Sequence, residues 1–92
     1  MTKPTIHLNG TSAADLLAQY RAAYEATFAA LEALCKAAPH GRDYYLQGNS
    51  SYPGGSSAIT NAQNEHEARV AKLLEVSEEL HQLALHVYQG VK

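Results

Sequence analysis

The chain has 92 residues, seven Lys and Arg against nine Asp and Glu, a formal net charge of −2 and one cysteine. That length holds one domain at most and buries only about 60–65% of the surface its unfolded chain exposes. The basic residues are scattered, which argues against a stripe that tracks a nucleic acid polymer; no apolar run approaches the roughly 18 residues of a membrane span; and Cys35 has no partner for an internal disulfide.

Residues 1–11 read as an N-terminal arm. Ile6 and Leu8 alternate with His7, which predicts a short extended segment packing one face. Asn9-Gly10 is a turn signal. The arm lacks the apolar core of a signal peptide, so the expected location is the cytoplasm. The hairpin domain, 12–90, opens with a helix over 12–38. Ser12 or Thr11 offers a capping hydroxyl, and Asp15 suits the positive helix end. Its apolar positions are Leu17, Tyr20, Tyr24, Leu31, Leu34 and Ala38, with Phe28 and Cys35 beside them, a spacing close to a 3.5 repeat. The apolar setting predicts a buried thiol at Cys35 rather than a nucleophile. Alanine, the best helix former, fills much of the rest. Arg21–Glu25 and Glu32–Lys36 are candidate i,i+4 pairs. Pro39 stops the helix, because the residue before proline avoids helical geometry.

The connector, 39–57, is far longer than the roughly 2–8 residues a mechanical turn between helices needs. It holds four of the six glycines, two of the three prolines and three of the six tyrosines. Arg42 offers a planar donor fork for phosphate or carboxylate. Tyr44 and Tyr45 offer flat faces for a base and hydroxyls for hydrogen bonds. Asp43 is a candidate clip for Arg42 or partner for Arg69, and Gln47 a polar contact. Asn49 to Ser57 has the composition of a tether. A second helix follows over 58–89, capped by Ser56 or Ser57 and ended by Gly90. Its seam reads Ile59, Ala62, His66, Leu73, Val76, Leu80, Leu83 and Val87, flanked by Val70, Ser77 and Ala84. The fold class is therefore all-α: an antiparallel two-helix hairpin with a long connecting loop. Its apolar stripes are wider than one helix covers, so hairpins are expected to assemble into a helical-bundle homo-oligomer.

His66 sits on the seam near the loop end, where it either takes one hydrogen bond or floors a pocket. Arg69 is one turn on and needs a carboxylate or an anionic ligand. Asn9 and Thr11 lie at the opposite pole, a helix length away, so an antiparallel pair of chains brings the loop of one to the arm of the other. Glu78 and His81 have a Glu-x-x-His spacing used in di-metal bundles, but they flank Leu80 on the outward side, so no metal site is expected.

The segments Ile6-His7-Leu8-Asn9-Gly10-Thr11, Arg42-Asp43-Tyr44-Tyr45 with Gln47-Gly48, and Glu65-His66 with Arg69 resemble a family of small proteins of tailed phages and prophages. The family pattern often has proline where this chain has Leu46, and Tyr52–Ser57 looks like an insertion. The resemblance implies a phage context. The sequence assembles no nucleophile–base pair and no metal set, so a non-enzymatic protein without cofactor is expected, and by analogy with small helical immune-evasion factors it works in the infected bacterium. Such a protein sequesters a nucleotide-derived signal at subunit interfaces, through Asn9, Thr11, Arg42, Asp43, Tyr44, Tyr45, Gln47, His66 and Arg69. The alternatives are an inhibitor or adaptor that binds a host or phage protein, and a structural phage component.

Overall fold

The computed structural model describes residues 1–44 and 58–90. Helix α1 spans Ala13–Lys36 and helix α2 spans Ala58–Gly90, with a three-residue 3-10 turn, Gly41–Asp43, after α1. The described residues contain no strand. The two helices run antiparallel, packed side by side, with Tyr24 of α1 against His81 of α2 (ring centroids 5.7 Å apart).

Ser12 starts α1. Its backbone is extended, and its hydroxyl accepts a hydrogen bond from the Asp15 N–H at 3.1 Å, filling one of the four donors a helix start leaves open. The end comes at Lys36, two residues before the expected Ala38. Ala37 N–H bonds Leu34 O at 2.9 Å and Ala38 N–H bonds Cys35 O at 3.3 Å. These tightened i→i+3 closures are how a helix finishes when the proline ahead denies its last residue helical geometry. The expected caps at Ser56 and Ser57, and the Asn49–Ser57 tether, lie outside the described residues.

Helix α2 buries Ala62, His66, Ser77 and Val87, and half-buries Val70, Leu73, Leu80 and Ala84 between them. This seam corrects the sequence reading at one position. Val76 is 45% exposed and Ser77 only 7%. With Leu73 and Leu80 facing α1, the three–four spacing falls on 77, and Val76 is turned about 100° away. On α1 the matching seam includes half-buried Leu17, Tyr20, Ala23, Thr27, Leu31 and Leu34. Thr27 satisfies its own hydroxyl by donating to Ala23 O at 2.8 Å. The register fixed at Tyr24 and His81 sets Thr27 and Ser77 at nearly the same level, both turned toward the seam.

A pair of helices cannot enclose much. Among the described residues only Val87 is fully buried, at 1% exposure. The radius of gyration is 19.9 Å, against about 12 Å for a compact chain of this length. The surface is 6857 Å², against about 5,200 Å² for a compact monomer of this mass. Cys35, expected to be buried, is exposed: the half-buried Leu31 and Leu34 mark the side of that turn that faces α2, and Cys35 lies off it. The arm also departs from expectation. Its apolar residues do not pack one face as expected: Ile6 is 40% exposed and Leu8 98%. Its anchor is polar instead: the His86 ring Nε2 donates to Pro4 O at 2.9 Å.

Candidate functional site

The candidate residues fall at two poles of the hairpin. At the arm pole, the Asn9-Gly10 turn forms as its sequence predicts, closed by Gly10 N–H to His7 O at 3.1 Å. A Cβ on Gly10 would stand 2.8 Å from the His7 Nε2, so the imidazole lies over the glycine and uses its missing side chain. Asn9 and Thr11 are both exposed.

At the loop pole, Pro39 turns the chain and the 3-10 turn follows, held by Asp43 N–H to His40 O and Tyr44 N–H to Gly41 O, each 3.0 Å. This turn presents Arg42 and Asp43 to solvent and leaves Tyr44 half-buried. Tyr45 and Gln47 lie outside the described residues. Carrying the Tyr24–His81 register along both helices puts His66 level with Pro39, so α2 projects about three turns past the end of α1. Ala62 and His66 are nevertheless buried on this projection. His66 is 9% exposed and has no hydrogen bond among the described residues. No fully enclosed side-chain nitrogen or oxygen lacks a partner there, so its ring nitrogens keep a narrow contact with solvent. Arg69 meets a carboxylate as expected, but that of Glu65 within its own helix, at 3.9 Å, rather than that of Asp43. Both side chains are more than half exposed (59% and 66%), so the pair is worth little and leaves the guanidinium available.

Along one α1 at about 1.5 Å per residue, the two poles stand roughly 36 Å apart. One chain therefore does not bring Asn9 and Thr11 to Arg42, Tyr44 and His66.

The structure also shows a feature the sequence reading passed over. One broad face of the hairpin carries a groove of about 330 Å³, lined by Leu17, Arg21, Tyr24, Glu25, His81, Ala84, Leu85 and Tyr88. A second hollow of about 320 Å³ continues it along α1, between Tyr24, Glu25, Phe28, Ala29 and Glu32. Tyr24 joins the two, tilted against both His81 and Phe28 (6.2 Å). Phe28, Leu74 and Tyr88 remain 48%, 51% and 58% exposed. The expected Arg21–Glu25 and Glu32–Lys36 pairs do not form; Arg21 and Glu25 line the groove instead. A heptad signal existed for this face. Leu74, His81 and Tyr88 are spaced seven apart, as are Leu17 and Tyr24, and Phe28 and Cys35. The Leu74 and Phe28 sets run beside the main seam, and Leu17 and Tyr24 join the seam to the groove.

Chemically, the poles offer a guanidinium, amides, hydroxyls and a phenol ring, suited to hydrogen bonding, stacking and charge pairing. The Glu78 carboxylate accepts from Gln82 Nε2 at 2.9 Å. The described residues hold no group of three or more His, Cys, Asp and Glu placed to bind a metal ion, and no described helix is long and apolar enough to cross a membrane. Comparison of the chain with family models, curated proteins and solved structures returns no match.

Proposed function

We propose that the chain is a non-enzymatic binding protein that works as a helical-bundle homo-oligomer and sequesters a small nucleotide-type anion where copies meet. The observation that carries this reading is the loop pole. A short hydrogen-bonded turn holds Arg42 in solvent beside half-buried Tyr44, next to a projecting stretch of α2 with His66 buried in its seam. Arg42 supplies a fork for phosphate. Tyr44 supplies a stacking face. Arg69 adds a second cation within reach of the same pole. Asn9 and Thr11 of another copy supply polar contacts. The resemblance to small phage proteins sets the context: a phage accessory protein that withdraws a defence signal in the infected bacterium.

The test is thermal melting of the full chain against cyclic dinucleotides, cyclic trinucleotides and cyclic ADP-ribose isomers. A ligand present at about 100 times its Kd stabilises the folded state by about 2.7 kcal/mol, which raises Tm by roughly 10 °C or more in a chain of this size. Arg42→Ala leaves the unliganded melting curve unchanged, because Arg42 is exposed, and abolishes the ligand shift. A flat response to the whole panel overturns the reading. A second reading, a protein-binding inhibitor or adaptor, draws on the exposed Phe28, Leu74 and Tyr88; capture of a host protein that Phe28→Lys abolishes and Arg42→Ala leaves intact would favour it.

A further inference from the structure

We infer that the grooved face is closed by a second copy of this chain, stacked antiparallel across a dyad that crosses α1 between Tyr24 and Phe28. Area gives the first argument. The chain exposes about 1,600 Å² more than a compact chain of its mass, and stable homodimers remove roughly 1,000–2,500 Å² per chain. The face that carries the exposed aromatics is the one with two open hollows.

Complementarity gives the second. An isologous interface sets residue i against j and j against i. With the dyad between Ala26 and Thr27, midway between Tyr24 and Ala29, Tyr24 of one copy falls over Ala29 of the other, the small residue in the second hollow. The same operation sets Arg21 against the partner's Glu32, twice. In the alternative stacking, with the dyad along the rods, Glu32 faces the apolar Leu74 of the other copy and the carboxylate loses water without gaining a cation. The antiparallel arrangement fills the second hollow with Tyr24 and pairs Arg21 with Glu32.

The dyad has a consequence at the poles. Asn9 and Thr11 precede it by about as many residues as Tyr44 and Arg42 follow it. One copy's arm turn is thereby carried to the level of the other's 3-10 turn, and two composite sites arise per pair. The pairing itself stands on the geometry of the face; only the reading of those composite sites rests on the proposed function, so a ligand panel without a hit leaves the pairing intact.

Light scattering on the full chain tests it. The parent reads an even multiple of the 9.9 kDa chain mass. Phe28→Lys, which places a charge at a half-exposed position and keeps helix content by circular dichroism, reads a single chain. Arg21→Glu and Glu32→Arg each weaken association about 10-fold or more, since every dimer meets the like-charge contact twice. The double variant R21E/E32R recovers to within about 3-fold of the parent, because each swapped charge again faces its opposite. A single-chain or odd-multiple mass for the parent, or a double variant no better than the singles, overturns the inference whatever Phe28→Lys does.

Discussion

Val87→Ala is the perturbation that weighs the core most directly. Val87 is the largest fully buried side chain among the described residues, at 1% exposure. Truncation removes two methyl groups, worth about 0.8 kcal/mol each in burial, or about 1.6 kcal/mol. A residual hollow of roughly 50 Å³ adds about 1 kcal/mol at ~24 cal/mol per Å³. The expected loss is about 2–3 kcal/mol, a Tm drop of at least about 8 °C for a domain of this size. Val76→Ala is the matched control, with the same atoms removed at a position 45% exposed. Its small loss of burial is offset by alanine's better helix propensity, so its effect stays within about 0.5 kcal/mol. Urea unfolding followed by circular dichroism, with all proteins at one concentration, reads both. Equal costs for the two valines would refute the seam described above and restore Val76 to the core.

Ser12→Ala removes the acceptor of the Asp15 N–H bond and costs about 1 kcal/mol, read as a Tm lower by about 4–8 °C; Ser12→Asn keeps an acceptor and stays within about 0.5 kcal/mol of the parent. Ser77→Ala raises stability by about 0.5 kcal/mol in the same urea assay, since the hydroxyl is 7% exposed with no hydrogen bond among the described residues and alanine is the better helix former. Gly10→Ala costs under about 1 kcal/mol in thermal melting: the atoms a Cβ would meet belong to the His7 ring, the far end of an exposed side chain that turns aside.

The hairpin was legible because its signals are local. Three–four apolar spacing, Ser12 with Asp15, and Pro39 after a long alanine-rich run each act within a turn or two of chain. The end of α1 was missed by two residues, because i→i+3 closure ahead of a proline is a compromise that propensity does not display. Val76 was placed on the seam, with Ser77 only on its flank, for a different reason. Hydrophobicity favours Val76, while the seam is set by where the partner helix lies, and a small polar residue turned toward it outranks a valine facing water. Cys35 and Leu8 were placed inside on the strength of their apolar character, but one partner helix covers one flank only. Arg69 found the acid four residues back, a contact that needs no folding of the connector, ahead of Asp43, which does. The grooved face was written in the sevenfold spacing of Leu74, His81 and Tyr88, yet a stripe beside the main seam becomes visible only once the antiparallel register is known.

The central claim is that two chains, head to tail, build each polar recess, and crosslinking between poles tests it. In a Cys35→Ser background, one population carries Thr11→Cys and a second carries His40→Cys, both at exposed positions. The populations are mixed, allowed to exchange and treated with a short bismaleimide, which adds one cysteine thiol at each end. The antiparallel pairing predicts linked dimers that contain one chain of each kind and that form only in the mixture. Links between two Thr11→Cys chains, or no interchain link in a mixture that light scattering shows to be associated, would contradict it.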